Sequence, residues 1–386
     1  MKNVVLCFGG KSFEHDISII TALIVLKKYR GKYNLLPVYI SKNQEWFFYP
    51  KNDLSITLFK NFDAEYKKNG FKKVSLEKDQ LCYKSLFSVT KLKIDCVLNC
   101  CHGGFGEDGS LNALLEANDL SVTSGSSTAL GICMDKILSK YFFKSQNVPF
   151  VDYFSFTKDE FIKDKKSVLA MAEELAYPVI LKPSKLGSSI GIKVAHNETE
   201  FIESVKVALE FDNNILVEKA ILEDMKEYNI ALMKKNGKVI FSPIDVVKKT
   251  DEIFSFKDKY IGEDSTSCDK FAFKKNHMGK GGSFVSEQKK WEKIPSKIKK
   301  KIQKYAYKIY ENLGLCGVVR FDFILDKNNN VFLNEVNSVP GSLAYYFFVP
   351  SIFKTMGEYI DCLIEEAIFH KQNLTIVKNE YITNII

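Results

Sequence analysis

The stretch RFDFILDKNNNVFLNEVN, Arg320 to Asn337, constrains the fold most strongly. Two runs of alternating apolar residues flank a polar turn, the pattern of an antiparallel β-hairpin with one buried face. Four polar residues break that pattern: Arg320, Asp322, Glu335 and Asn337. A two-residue turn at Asn328-Asn329, where asparagine tolerates positive φ, predicts that Asp322 faces Glu335 and Arg320 faces Asn337. Period two then sets all four on one side of the sheet. Facing carboxylates repel unless a cation lies between them. Oxygen-only donors suit Mg²⁺ or Mn²⁺ rather than Zn²⁺, and Mg²⁺ held by few protein oxygens usually also binds substrate phosphates. Taken alone, the hairpin leaves an alternative open, a solvated face carrying Arg320–Asp322–Glu335 ion pairs.

The rest of the chain alternates strands and helices. NVVLCFGG reads as a first strand, SIITALIVLKKY as a helix and NLLPVYIS as a second strand, the opening of a doubly wound parallel sheet. Residues from about 50 to 92 elaborate this first domain, and IDCVLNCCHGGFGEDG is a further buried strand running into a glycine-rich loop. Active-site loops in such sheets lie at strand C-termini. Near residue 125 the style changes. MDKILSKYFFKSQ reads as a helix, AYPVILKPSKLGSSIGIKVA as strand, Gly/Ser loop and strand, and NILVEKAI as another strand. From about 227 antiparallel strands dominate, with an Asn-Gly turn in LMKKNGKVIF. Residues 250–290 are polar and aperiodic, too long for a plain connection, and read as a lid or functional loop. The expected domains are 1–125, 126–217 and 218–386.

Composition excludes several classes. With 386 residues there is room for two or three domains. No apolar run reaches the roughly 18 residues that a membrane helix needs, and the N-terminal apolar run ends in Gly-Gly-Lys rather than a signal cleavage site. The nine cysteines are scattered, odd in number and without a C-x-x-C pair. A disulfide framework or zinc knuckle is therefore not expected, and a reducing cytoplasm is. The net charge of +8 comes mostly from lysines on helical surfaces such as KIPSKIKKKIQKYAYK, without basic-aromatic interleaving. No nucleic-acid partner is expected, and a basic surface also attracts ATP and carboxylates.

Three further constellations bear on chemistry. KPSKLGSSIG, Lys182 to Gly191, links two strands through glycines and through Ser184, Ser188 and Ser189. Backbone N–H groups and hydroxyls in such a loop can cover phosphates while Lys182 supplies charge; an ordinary flexible hairpin is the bland alternative. Glu218 and Lys219 close a strand and Glu227 follows, placed to hold adenine and ribose or simply as surface charges. Glu14 and His102 follow the first strand and a later one, at the expected mouth of the first domain. A lone histidine there is more often structural than catalytic.

In this order the blocks GGKSFEHDIS, HGGFGEDGSLNALLE, MDK, YPVILKPSKLGSSIG, VEK, KY at 259–260 and RFDF…NEVNSVPG resemble the D-alanine–D-alanine ligases of the ATP-grasp superfamily, over nearly the whole chain. The resemblance implies an ATP-grasp fold, α/β and α+β, with an N-terminal doubly wound parallel-sheet domain. It implies ATP and two Mg²⁺ (or Mn²⁺) as cofactors and D-alanine as substrate; the oligomeric state stays open, with a homodimer as one alternative, and no membrane partner is expected. Carried over by motif, Lys136, Lys182, Ser189 and Lys259 contact nucleotide phosphates. Glu218, Lys219 and Ile221 surround adenine, and Glu227 holds ribose. Asp322, Glu335 and Asn337 ligate the metals. Glu14, Ser188 and Tyr260 position the first D-alanine and hold the lid closed, His102 lies near its carboxylate, and Arg320 with the Gly341 N–H stabilises charge on the acyl oxygen. Ser342 is a substrate-binding residue.

Three departures from the family pattern stand out. SLAYYFFVP is about one residue longer than the usual run after Pro-Gly, with Phe347-Phe348 near the position where the family carries a Ser-Leu pair that touches the second substrate. The lid is long and rich in Lys and Gly, and Ala220 replaces a common aromatic residue. Tyr260 argues against a D-Ala–D-lactate ligase. Competing readings are a ligase with D-serine or another second amino acid, a catalytically silent ATP-binding homologue, and a nucleic-acid module.

Overall fold

A computed structural model describes residues 1–51, 53–85, 87–247, 291 and 293–374. Three sheets organise them. The N-terminal sheet has seven strands: β1 (Asn3–Gly9), β2 (Asn34–Ile40), β3 (Trp46–Phe48), β4 (Lys72–Glu77), β5 (Gln80–Lys84), β6 (Val89–Lys93) and β7 (Cys96–Asn99). Their spatial order is β6-β5-β4-β3-β2-β1-β7. Parallel pairing, with a helical crossover at His15–Lys28, joins β2, β1 and β7, and an isolated parallel bridge adds Val122 beside Val97. Strands β3 to β6 extend the sheet as an antiparallel meander, the form taken by the elaboration expected from about residue 50 to 92.

The central sheet is antiparallel, in the order β10-β9-β11-β8: β8 (Tyr153–Thr157), β9 (Val179–Pro183), β10 (Lys193–Ala195) and β11 (Asn214–Lys219). Helices Lys165–Leu175 and Glu198–Ala208 cover one face around the buried Phe156, Leu181, Phe201 and Val217. The third sheet contains β12 (Lys226–Lys235), β13 (Lys238–Phe241), β14 (Asp245–Val247), β15 (Val319–Leu325) and β16 (Val331–Asn337). The Asn236-Gly237 turn between β12 and β13 has positive φ at both residues, as its sequence demands.

Alternation in β15 does what the sequence predicts. Val319, Phe321, Phe323 and Leu325 are buried in a core closed by Ile302, Ala306 and Ile309 of helix Ser296–Asn312. Full burial of each such side chain is worth roughly 1.5–3 kcal/mol. Arg320 and Asp322 fall on the opposite face, and Arg320 pairs with Asn337 and Asp322 with Glu335, as expected.

The expected Asn328-Asn329 turn is corrected. Past Asp322 the register shifts, so Phe323 pairs with Leu333 and Leu325 with Val331. The loop is then Lys327–Asn329, closed by Asp326 and Asn330. Asp326 Oδ1 accepts the N–H groups of Asn328 (2.9 Å) and Asn330 (2.8 Å), and Asn329 takes the left-handed position at φ 59°. An Asx-type turn of this kind favours the longer loop.

Among the described residues no helix is long and apolar enough to cross a membrane. The eight described cysteines are free and buried.

Candidate active site

The mouth of the N-terminal sheet presents the Glu14 and His102 loops. Glu14 sits at the N-terminus of helix His15–Lys28, where the helix dipole favours its charge. Its carboxylate accepts a hydrogen bond from Ser188 Oγ, joining the N-terminal domain to the loop between β9 and β10. Gly103 makes this approach possible. At φ 62°, a side chain there would bring a Cβ within 2.6 Å of Glu14 Oε2.

The Gly/Ser loop is tied down at several points. Ser184 Oγ donates to Asp135 Oδ1 at 2.6 Å, and the same carboxylate caps helix Lys136–Ser145 through Ile137 N–H (3.0 Å) and Leu138 N–H (3.2 Å). Lys136 Nζ donates to the Leu186 carbonyl and pairs with Glu335 at 3.2 Å. Ser188 and Ser189 both take left-handed backbone, at φ 54° and 60°.

Behind the loop lies a buried charge cluster. Lys140 and Lys182 both pair with the Glu218 carboxylate, and Lys182 also donates to Asn334 Oδ1 at 3.1 Å. Burial alone would raise the Glu218 carboxyl; the two ammonium groups overcome it and hold it at about 2. The Glu218 side chain therefore points into this cluster. Lys219 Nζ donates to the Ala176 and Tyr177 carbonyls instead.

On the hairpin, Arg320 holds Asp322 through two parallel bonds, Nε to Oδ1 at 2.8 Å and Nη2 to Oδ2 at 2.9 Å. Asn337 Nδ2 adds a third, at 3.0 Å. Glu227 shares this face of the sheet by register, since Asn229, two residues on, pairs with Asp322. Among the described residues no three His, Cys, Asp or Glu side chains gather as a cation site. The candidate set is two facing carboxylates and one amide, with Arg320 and Lys136 neutralising the carboxylates. All-oxygen donors of this kind fit a hard divalent cation.

His102 is buried, with both ring nitrogens engaged: Nε2 with Thr21 Oγ1 at 2.8 Å and Nδ1 with the Val339 carbonyl at 3.0 Å. Burial lowers its pKa. Glu107 accepts from Gly103 N–H at 2.8 Å and Val339 N–H at 3.1 Å. The residue as a whole is only half-buried. Desolvation of its carboxyl and then the Glu14 charge push it up to about 8, against the lowering effect of the two N–H groups. Beyond Gly341, Ser342 N–H donates to Thr21 Oγ1 at 3.3 Å.

The structure thus gathers Glu14, His102, Lys136, Lys182, Ser188, Ser189, Glu218, Arg320, Asp322, Glu335, Asn337, Gly341 and Ser342 around the junction of the three sheets. Ile221 follows the end of β11, an inner strand of the central sheet, and Glu227 lies at the start of β12. Lys259 and Tyr260 lie outside the described residues. Sequence reading passed over Thr21, Glu107, Lys140, Asn334 and Tyr346. Asn334 carried a signal, since adjacent polar residues at 334 and 335 break the strand's alternation. Thr21 and Lys140 carried none, Thr21 lying in a largely apolar helix and Lys140 in an ordinary amphipathic one.

An α/β domain followed by two antiparallel sheets, with a Gly/Ser loop joining β9 and β10 of the first of them, has the ATP-grasp architecture. Comparisons with known proteins agree. Family models described as "D-ala D-ala ligase N-terminus" and "D-ala D-ala ligase C-terminus" match residues 3–125, and 142–280 with 284–369. The D-alanine–D-alanine ligase of Thermosipho africanus (strain TCF52B) is 35% identical over 368 residues, covering 95% of this chain and 93% of the relative. Among solved structures, the D-alanine–D-alanine ligase of Coxiella burnetii superposes with a TM-score of 0.73 at 22% identity, covering 97% of this chain and 96% of that one. The VanG D-Ala:D-Ser ligase of Enterococcus faecalis gives 0.71 at 21% identity, covering 95% and 99%. The chain belongs to the D-alanine–D-alanine ligase family.

Proposed function

We propose that the chain joins two D-alanines to D-alanyl-D-alanine with conversion of ATP to ADP and phosphate, for peptidoglycan precursor synthesis. The observation that carries this reading is the loop between β9 and β10. Within three residues, its Leu186 carbonyl meets Lys136, itself paired with Glu335, and its Ser188 hydroxyl meets Glu14. One loop therefore touches the first-substrate side and a phosphate-side lysine that is itself paired with the hairpin carboxylate Glu335.

In this reading residues 1–125 carry the first-substrate side, 126–217 the phosphate-covering loop, and 218–386 the metal ligands and lid. The first D-alanine carboxylate attacks the γ-phosphorus of ATP, and ADP leaves. The amine of the second D-alanine attacks the acyl carbon of the acyl phosphate, loses a proton, and inorganic phosphate leaves. Asp322, Glu335 and Asn337 would hold two Mg²⁺ or Mn²⁺ ions, which when bound neutralise phosphoryl oxygens. Lys136, Lys182, Ser189 and Lys259 add charge and hydrogen bonds on the phosphates. Glu218, Lys219 and Ile221 flank adenine, and Glu227 binds ribose. Glu14, Ser188 and Tyr260 orient the first substrate, with His102 near its carboxylate and Ser342 on the substrate side. Arg320 and Gly341 N–H face the developing acyl oxyanion. An acyl phosphate hydrolyses readily, so a closed, dry site is required. We further infer a homodimer and a cytoplasmic location; the free, buried cysteines suit a reducing compartment.

The test is ADP release and dipeptide formation across a panel of D- and L-amino acids. D-Alanine alone should give stoichiometric dipeptide. Turnover with L-amino acids but not D-alanine would overturn the reading. Preference for D-serine in the second position would point to the aromatic segment Tyr345–Phe348. ATP binding without D-alanine-dependent phosphate release would identify a silent homologue.

A further inference from the structure

The Val339 peptide is gripped on both sides. Its N–H donates to Glu107 Oε1 at 3.1 Å, while Glu107 Oε2 accepts Gly103 N–H at 2.8 Å. Its carbonyl meets His102 Nδ1 at 3.0 Å, His102 Nε2 meets Thr21 Oγ1 at 2.8 Å, and Thr21 Oγ1 accepts Ser342 N–H at 3.3 Å. The Val339 carbonyl requires the proton on Nδ1, and burial favours the neutral imidazole, so the Thr21 hydroxyl donates to Nε2. A ring of hydrogen bonds thus leaves the chain at Val339 and returns three residues later.

The backbone it encloses leads into a costly conformation. Ser342, Leu343 and Ala344 stand at φ 54°, 51° and 48°, three successive side-chain-bearing residues in the left-handed region. Each costs about 1–2 kcal/mol, and such backbone persists only where its surroundings over-determine it. The far end is pinned too, since buried Tyr359 donates its hydroxyl to the Leu343 carbonyl at 2.6 Å. The reaction as derived above gives no role to Glu107.

We propose that Glu107 is a positioning residue for ligation: through Val339 N–H it sets Gly341 N–H at the acyl oxygen and holds the left-handed run that shapes the second amino-acid site. This rests on the ligase reading. Glu107 touches no reacting atom; it acts through the segment it holds. A merely structural Glu107 would change how much active enzyme there is, not how active molecules partition their acyl phosphate.

The experiment compares full-length wild type and Glu107→Gln for dipeptide formed per ADP released, a ratio unaffected by the fraction of molecules folded. The amide turns one acceptor into a donor facing an N–H. The expected result is ADP in excess of dipeptide, a rise of about tenfold in KM for the second D-alanine, and little change in KM for ATP. A one-to-one ratio with unchanged KM values overturns the assignment. If Glu107→Gln yields no folded chain, Thr21→Val is read by the same ratio, and a one-to-one result there overturns it equally. Wild type without D-alanine-dependent ADP release overturns the ligase reading, and this assignment with it.

Discussion

Asp322 and Glu335 face each other across β15 and β16 although the loop joining those strands is one residue longer than a two-residue turn allows. A bulge restores the pairing. Between the Asp322–Glu335 and Phe323–Leu333 pairs, β16 carries one extra residue, Asn334, which leaves the ladder and sends its amide to Lys182. The longer turn and the bulge cancel at the site, and the bulge adds a hydrogen-bond acceptor for Lys182.

Glu335→Ala tests the shared-cation reading most directly. It removes one of two facing carboxylates and frees Lys136 from its partner. Ligation should fall by at least about a hundredfold, about 2.7 kcal/mol of transition-state stabilisation, and extra Mg²⁺ should restore it only in part. Activity within about tenfold of wild type in steady-state assays would sink the metal assignment.

The fold was legible where one period dominates. The core side of β15, the Asn-Gly turn and the first βαβ crossover all follow from local pattern. The hairpin loop was not, because Asp326 favours the longer turn through side-chain bonds that no dipeptide rule contains. Candidate site residues in glycine-rich loops could be read from their motifs. Glu107 lay within such a motif without a stated task, because its partner Val339 is 232 residues away. Lys140 was hidden for another reason. Buried lysines are rare, and only the tertiary approach of Glu218 shows that this one is not a surface charge.

Ser188 has a hydroxyl bonded to Glu14 and a backbone at φ 54°. Ser188→Ala and Ser188→Gly remove the same hydroxyl, so both should raise KM for D-alanine by about tenfold. Their stabilities should differ, because glycine relieves the left-handed strain by roughly 1 kcal/mol and alanine does not. Denaturant midpoints measured beside KM check this. Unequal KM values that follow stability would show that the backbone, not the hydroxyl, matters.

Glu218 is held at about 2 against the desolvation that would raise it, through Lys140 and Lys182. Its folded pKa lies below the unfolded value of about 4.3. The stability it contributes is therefore present above about pH 4.3 and is lost as pH falls towards 2. Lys140→Met should cost about 3 kcal/mol at neutral pH, the lower range for breaking a buried pair, since Lys182 remains. The variant should unfold at a higher pH on acidification, and its deficit should shrink as Glu218 becomes protonated in both proteins. A deficit that stays constant from pH 7 to about pH 3 in urea titrations would refute the charge argument.

Tyr346 stands where the chain departs from the family pattern, and its phenol hydrogen-bonds to Arg320. Burial raises the phenol's pKa while the guanidinium opposes that rise, so the neutral hydroxyl persists at working pH as an acceptor for Arg320. Arg320 is thereby held from two sides, by Tyr346 and by the paired bonds to Asp322. Tyr346→Phe keeps the ring and its packing against Phe347, whose centroid lies 4.8 Å away, but leaves Arg320 one acceptor short. Losing about 1 kcal/mol of orientation predicts a kcat roughly fivefold lower, with KM for ATP unchanged. On the proposal that the aromatic segment Tyr345–Phe348 walls the second amino-acid site, turnover of D-serine relative to D-alanine should rise as well. If kcat and the D-serine to D-alanine ratio both match wild type, the contact between Tyr346 and Arg320 has no part in the reaction.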